Sequence, residues 1–122
     1  MNIQSYSEYC LSKSGVTEHF PFDEDTLVFK VGGKMFALSS LTEWEKGSPS
    51  VNLKCEPERA EELRAQYEDI TPGYHMSKIH WNTVRVNNNV NDNMIYELID
   101  DSYGLVFNSL PKKLRDEIAG QL

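Results

Sequence analysis

Short runs in which apolar and polar residues alternate predict several β-strands. The clearest runs are 26–31, 34–38 and 51–55, because successive side chains of a strand point to opposite faces. Gly32-Gly33 separates the first two runs, and two residues that readily take positive φ are what a tight hairpin turn requires. The pattern therefore predicts a β-hairpin with these glycines at its tip.

Another β-like stretch begins at Ile79. Residues that share one of its faces are His80, Asn82, Val84 and Val86, and residues that share the other are Trp81, Thr83 and Arg85. Neither face is wholly apolar, so either a bulge near Asn82 reverses the alternation or Trp81 stands on an accessible surface. Asn87-Asn88-Asn89 predicts a turn, which we interpret as the tip of a second hairpin.

Apolar residues at three- and four-residue spacing predict four helices. These are an N-terminal helix ending before Gly15, a helix beginning at Pro57, a long helix capped by Asn91 and a last helix capped by Ser109. The segment 39–50 is interpreted as a loop in which Trp44 lies over the sheet. Together the elements predict an α+β fold: one domain over residues 1–122, with a twisted antiparallel sheet of about five strands and helices mainly on one face.

Composition narrows the class of protein. A chain of 122 residues suits a single domain with a substantial core. No window approaches the eighteen apolar residues of a membrane span, and the N-terminus is polar where a signal peptide is basic and then apolar. We therefore expect a cytoplasmic monomer without membrane contact. Cys10 and Cys55 lack metal-ligand spacing and are predicted to be buried, reduced thiols.

Charge is informative about nucleic acid as a partner. The net charge of −7 opposes nonspecific affinity for DNA, which draws on clustered Lys and Arg. However, the strand-rich stretches 26–54 and 71–91 each carry net positive charge, whereas the helical parts are acidic. The distribution leaves a DNA partner open, and it equally fits helices that are acidic only for solubility.

Catalytic motifs are absent from the sequence. It contains no Gly-x-Ser-x-Gly elbow, no phosphate-binding glycine loop and no Cys-x-x-Cys pair. His75 and His80 are five residues apart, which is not the ligand spacing of a helix or a strand. We therefore expect a non-enzyme that uses neither a cofactor nor a metal ion.

The segment 71–84 concentrates side chains that bind ligands. With the hairpin lysines it supplies phosphate donors, a stacking aromatic ring and groups that reach base edges. The candidate nucleic-acid-binding residues are Lys30, Lys34, His75, Lys78, His80, Trp81, Asn82 and Arg85. In the alternative interpretation, Tyr74, His75 and Trp81 form a small hydrogen-bonded core. Gly73 is predicted to adopt a backbone conformation closed to residues with a Cβ atom.

Four runs of sequence carry a family resemblance. They are Pro-Phe at 21–22, Gly-Gly-Lys-Met-Phe-Ala at 32–37, Pro-Gly-Tyr-His-Met-x-Lys-x-His-Trp-Asn at 72–82 and Leu-Pro-Lys-Lys-Leu-Arg at 110–115. With them the chain resembles, nearly end to end, the MmcQ/YjbR family of small bacterial proteins. The resemblance implies an α+β fold of the CyaY, frataxin-like type and DNA binding through paired wing-like hairpins.

Two other functions stay open beside DNA binding. In the first, the segment 72–82 forms a pocket and the protein is a small-ligand or protein-interaction module, which a net charge of −7 tolerates more easily. In the second, weaker one, the acidic helix after Pro57 handles metal as in frataxin-like proteins. A continuous positive face including Lys30, Lys34, Lys78 and Arg85 favours DNA, whereas lysines scattered around a concave cleft favour a ligand.

Overall fold

Six strands form one antiparallel sheet in the computed structural model, which describes residues 1–74 and 76–120. The strands are β1 (Val16–His19), β2 (Thr26–Val31), β3 (Lys34–Ser40), β4 (Ser50–Lys54), β5 (Ile70–Pro72) and β6 (Trp81–Arg85). Their order across the sheet is β1-β2-β3-β4-β6-β5, and neighbouring strands are antiparallel. The α+β class is confirmed, with one strand more than the five or so predicted.

The two edge strands explain the difference in strand number. In β1, three of the four residues are exposed and Val16 is only half-buried, so the strand has no alternating apolar face. Strand β5 has three residues and ends in Pro72. Pairing with β2 and with β6 creates these strands, and their own sequences carry little signal.

Five helices accompany the sheet within the described residues. They are α1 (Ile3–Leu11), α2 (Leu41–Glu45), α3 (Pro57–Gln66), α4 (Asp92–Asn108) and α5 (Lys112–Ala119). As predicted, Asn91 caps α4, since its side-chain oxygen accepts from the Met94 N–H at 2.8 Å. Helix α2 lies within the segment interpreted as a loop, where the Ser40 side chain caps it.

The prediction that Ser109 caps the last helix is wrong. Ser109 does not begin α5, and instead it ends α4, where its hydroxyl donates to the Val106 carbonyl at 2.6 Å. Helix α5 begins after Pro111, with no side-chain cap. Pro111 already fixes the backbone entering the helix, which is why a hydroxyl cap is not needed there.

The helices cover one face of the sheet, as predicted. Buried residues of α1, α3, α4 and α5 join those of the strands in one core cluster; they include Tyr6, Cys10, Ala60, Leu63, Ile95, Ile99 and Ile118. Trp44 of α2 packs against this core by stacking on Tyr6, with ring centroids 5.5 Å apart. The other face of the sheet carries a separate small cluster of Val28, Leu38 and Trp81.

The first predicted hairpin is confirmed and the second is not. Gly32 and Gly33 have φ of +58° and +79° and join β2 to β3. Asn87 does take positive φ, but its side chain donates to the Met1 carbonyl at 2.7 Å. The Asn89 N–H donates to Asp69 at 2.9 Å. These hydrogen bonds hold the asparagine turn against Met1 and Asp69, so it does not form the tip of a second hairpin. The hairpin that includes β6 is instead made with β5, through the connection 73–80.

Both cysteines are buried and free, as predicted. The long apolar helix needed to cross a bilayer is not found in the part of the chain that the structure describes.

Candidate functional site

Strand pairing arranges the side chains of the open face in three rows that cross the sheet. The middle row is His19, Val28, Leu38, Asn52, Thr83 and Thr71. The row nearer the glycine hairpin holds Thr17, Lys30 and Met35, continued by Lys54 and Trp81. The row at the other end holds Thr26 and Ser40, continued by Ser50 and Arg85. Two residues along a strand separate adjacent rows, so they lie about 7 Å apart.

Trp81 is buried on this face. Only 8% of it is exposed, and it forms a small cluster with Val28 and Leu38, against which Met35 and Met76 pack. The interpretation of Trp81 as an accessible stacking surface is therefore corrected. The alternative, a small separate core, holds for Trp81 but not for Tyr74, which is 70% exposed.

Asn82 points to the opposite face and is 2% exposed. Its side-chain oxygen accepts from Arg64 Nη1 at 2.8 Å, and its amide nitrogen donates to the Ala60 carbonyl at 3.5 Å. The amide therefore binds helix α3 and is not available to a base edge, which corrects its place among the candidates. The alternation of the sequence had already placed Asn82 on the face of Val84.

The connection 73–80 forms one wall of the open face. The Gly73 N–H donates to the Trp81 carbonyl at 2.8 Å, and the Tyr74 N–H donates to Thr83 Oγ1 at 3.1 Å. Gly73 is not among the glycines with positive φ, so the predicted reason for a glycine is corrected. A Cβ atom there would lie 2.7 Å from the Trp81 Cβ. His75 lies outside the described residues.

The two hairpin lysines point in different directions. Lys30 stands on the open face, opposite Thr17 and Met35. Lys34 stands opposite the buried Val31, and its ammonium lies 3.5 Å from the Ser109 hydroxyl at the end of α4. Lys34 therefore belongs to the helix side of the molecule.

The remaining polar candidates are also dispersed. Lys78 is exposed on the 73–80 connection, with Nζ 3.5 Å from the Gly73 carbonyl. His80 is exposed beside it, and its carbonyl accepts from the Cys55 N–H at 2.8 Å. Arg85 lies at the other end of the sheet, where it lines a depression of about 480 Å³ that also contains three carboxylates: Glu43, Glu68 and Asp69. The predicted cations do not form one continuous face.

Lys54 is a basic residue of the open face that sequence reasoning missed. It pairs with Trp81, two strands away from Lys30, so the two backbones are about 10 Å apart. The sequence could have identified Lys54, because the alternation of β4 places it on the face opposite to that of the buried Val51 and Leu53.

A cleft of about 560 Å³ lies on the open face between two loops. Phe22, from the β1–β2 loop, and Tyr74, from the 73–80 connection, line it together with Leu38 and Met76. Its hydroxyl and amide groups come from Thr26, Ser40, Ser50, Asn52 and Thr83. The cleft thus combines an apolar wall with a polar floor that is formed mainly by adjacent strands.

Two carboxylates, Asp23 and Glu43, complete the lining. The Asp23 carboxylate accepts from the Thr26 N–H at 2.6 Å and from the Asp25 N–H at 2.9 Å, and these hydrogen bonds hold its pKa below the ordinary value. Glu43 Oε2 accepts from the Ser50 hydroxyl at 2.9 Å. Lys, Arg and His are missing from the described lining, so the charge of the cleft is negative.

Sequence reasoning missed Phe22, Asp23 and Glu43. Phe22 entered only through the Pro-Phe run at 21–22, and Glu43 lies in the segment 39–50 that was interpreted as a loop. Their spacing in sequence carries no common signal, because the pairing of β2 with β3 brings the two regions together. Tyr74 and Met76 are different, since they lie within the segment that the sequence singled out.

Another depression, of about 680 Å³, lies against α3 and α4. Charged residues dominate its lining, and Arg59 and Asp101 approach each other there at 3.7 Å. It includes none of the predicted site residues. Across residues 1–74 and 76–120, no three His, Cys, Asp or Glu side chains are grouped as metal ligands.

Comparison with known proteins gives matches over most of the chain. The family model described as YjbR matches residues 11–105. The protein named "Uncharacterized protein YjbR" from Escherichia coli strain K12 is 36% identical over 115 residues, which cover 94% of this chain and 95% of that protein. "Uncharacterized protein YbdF" from E. coli O157:H7 is 39% identical over 94 residues, covering 77% and 75%.

Solved structures resemble the whole fold. The crystal structure of protein DR2400 from Deinococcus radiodurans superposes with a TM-score of 0.88 at 37% identity, covering 97% of this chain and 88% of that one. A crystal structure of a Pseudomonas syringae protein gives a TM-score of 0.73 at 31% identity, covering 87% and 99%. The names of these relatives assign no ligand or reaction.

Proposed function

The chain belongs to the YjbR family, and we propose that it is a binding module that holds a small ligand in the cleft of its open sheet face. The observation that carries this proposal is the cleft itself, in which an apolar wall and a floor of hydroxyl and amide groups enclose about 560 Å³. Small-molecule sites are typically concavities of about 300–1,000 Å³ with a few placed polar groups. The segment singled out by the sequence contributes Tyr74 and Met76 to this cleft.

Hydrogen bonds hold the floor of the cleft in place before any ligand arrives. The Thr83 hydroxyl donates to Asn52 Oδ1 at 2.5 Å and accepts from the Tyr74 N–H. The Ser40 hydroxyl donates to Asp25 Oδ2 at 2.5 Å. Because these groups are already ordered, binding loses little side-chain entropy.

A thermal-shift screen tests the proposal. The protein is heated with members of a library of small polar and aromatic compounds, and a compound that binds the folded state raises Tm. Phe22→Ala, which removes a ring from the cleft, is expected to abolish most of the shift. Phe20→Ala is the matched control, since Phe20 is 47% exposed, against 63% for Phe22, and does not line the cleft. Hits whose shifts are unaffected by Phe22→Ala contradict the proposal.

The second candidate function is the DNA binding that the family resemblance implies. Lys30 and Lys54 support it, because they stand on one face of the sheet with Lys78 on the adjacent connection. This group is smaller than the predicted one. Lys34 belongs to the helix side, Arg85 lies near carboxylates, and the net charge is −7. The described cations do not form a continuous positive face, so by that criterion the geometry favours binding of a small ligand over binding of DNA.

Fluorescence anisotropy with single- and double-stranded oligonucleotides across a salt series tests this second candidate. DNA binding through these lysines gives a log-log salt slope near −0.9 per phosphate neutralised. Lys54→Ala or Lys78→Ala is expected to reduce the slope by about one, and Lys34→Ala, on the helix side, serves as the control. Absence of binding even at low salt removes DNA as a partner.

We also propose that the protein works as a monomer and by binding rather than by catalysis. The lining of the cleft supports the latter, since Lys and His, the usual bases beside a nucleophilic hydroxyl, are missing from its described residues. Sedimentation across a concentration range checks the monomer.

A further inference from the structure

We infer that the ligand of this cleft is an organic cation, with an ammonium or guanidinium group on a hydrocarbon stem. The inference rests on the proposed function and adds the chemical class of the ligand. Two independent properties of the cleft carry it: the sign of its charge and the chemistry of its wall.

The charge comes from Glu43 and Asp23. Glu43 Oε2 accepts from the Ser50 hydroxyl at 2.9 Å. Asp23 is held in a fixed orientation by three donors: the Asp25 N–H, the Thr26 N–H and the Thr26 hydroxyl. The described residues that line the cleft include no cation, so the two carboxylates attract a ligand of positive charge.

The other charged groups of this face do not line the cleft. Lys30 and Lys54 stand two rows away from Thr26 and Ser50, the residues that hold the two carboxylates. Lys78 lies on the 73–80 connection outside the lining.

Asp25 lies next to the cleft, and its carboxylate accepts from Ser40 and Thr42. Lys46 lies close enough to Asp25 to lower the pKa of that carboxyl, after the larger effect of the hydrogen bonds. Arg85 lines the adjacent depression with Glu43, Glu68 and Asp69, where carboxylates outnumber it.

The wall suits the rest of such a ligand. Leu38 and Met76 give a hydrocarbon stem an apolar surface, and Phe22 presents a ring that is 63% exposed. Aromatic rings attract ammonium and guanidinium groups through the negative face of their π-system. An anionic ligand, by contrast, faces two carboxylates with no cation among the described residues of the lining.

Three probes that share a ring and differ in charge separate these cases: benzylammonium, benzyl alcohol and benzoate. Each is titrated into ¹⁵N-labelled protein, and affinity is read from amide shifts of residues in the cleft. We expect benzylammonium to bind at least tenfold more tightly than the alcohol and benzoate to bind most weakly. Added salt is expected to weaken only the cation's advantage.

Glu43→Gln is the matching variant. It keeps the size of the side chain and removes its charge, so it is expected to remove most of the cation's advantage while leaving the affinity for benzyl alcohol unchanged. Glu45→Gln is the control, because Glu45 belongs to the same short helix but is exposed and does not line the cleft. Equal losses in the two variants contradict a specific site.

The same cation occurs in free amines and in Lys or Arg side chains of proteins. A short peptide with one central lysine, its norleucine counterpart and free putrescine distinguish the two sources. Tighter binding of the lysine peptide than of putrescine, lost with norleucine, indicates a protein segment. The reverse order indicates a free amine, and either result supports the cation.

Two different failures are distinguishable. Equal affinities of the three probes, or a preference for benzoate, overturn the inference about charge while leaving a ligand cleft in place. If none of the probes or peptides shifts the amides of the cleft, both the inference and the proposed function are overturned.

Discussion

The guanidinium of Arg64 donates to the side-chain oxygen of Asn82 at 2.8 Å. The same nitrogen lies 3.4 Å from the Lys78 carbonyl, so one side chain of α3 joins strand β6 to the 73–80 connection. Tyr74 and Met76 of that connection form a wall of the cleft. Helix α3 therefore positions this wall from behind the sheet.

Asn82→Ala is expected to destabilise the protein by about 1–3 kcal/mol, because it removes the shorter of the two hydrogen bonds of the Arg64 guanidinium and leaves the Ala60 carbonyl without its side-chain donor. Urea unfolding measures the loss. Asn93→Ala, at an exposed position of α4, is expected to change stability little. A small effect of Asn82→Ala together with lost DNA binding would restore Asn82 as a contact residue.

Gly73→Val is expected to lower Tm substantially. Its Cβ atom would lie 2.7 Å from the Trp81 Cβ and 3.0 Å from the Trp81 carbonyl oxygen, so the connection must move. Gly104→Ala is the control, because nothing lies within 4 Å of the added atom in the middle of α4. We expect that variant to be more stable by about 0.5–1 kcal/mol. An unchanged Tm for Gly73→Val contradicts the close packing at this turn.

Asp25 is expected to stabilise the fold in a pH-dependent way. Hydrogen bonds from the Ser40 and Thr42 side chains hold its pKa below the ordinary value of 3.8. Since the folded pKa is the lower one, the stabilisation is complete above the unfolded value and is lost as the pH falls from about 3.8 through the folded value.

A pH series on Asp25→Asn checks this sign. The Tm difference between wild type and the variant is expected to be constant between pH 5 and 7 and to shrink below pH 4. A difference that grows on acidification contradicts the hydrogen-bonded carboxylate.

Cys10 is expected to be unreactive. Burial raises its pKa to about 12 and also raises the pKa of Cys55, so neither thiol carries appreciable thiolate at pH 8. With a disulfide reagent we expect slow reaction of the folded protein, Cys55 first because it is 7% exposed while Cys10 is fully buried. Complete reaction in guanidinium chloride is the control. Fast labelling of Cys10 contradicts its burial.

Local signals predicted most of the fold. Three of these signals are the alternation in β2 to β4, the turn at Gly32-Gly33 and the helix cap at Asn91. Each depends on the backbone of a few consecutive residues, so the local sequence is sufficient to predict it. Strands β1 and β5 depend on their partners and were missed.

The site was less predictable because it is built by strand pairing. Sequence reasoning singled out the segment 72–82 but gave Trp81 and Asn82 exposed roles, whereas packing buries both. Glu43 comes from the segment interpreted as a loop and Phe22 from the connection between β1 and β2, and only the pairing of β2 and β3 brings them to one cleft.

A map of the amide chemical shifts that change on binding of the compounds found in the thermal-shift screen tests most directly whether the ligand lies in the cleft of the open sheet face. The largest changes are expected at Leu38, Asn52 and Thr83, on the floor of the cleft. The largest changes at Arg59, Asp101 and Asn108, in the depression against α4, would contradict it.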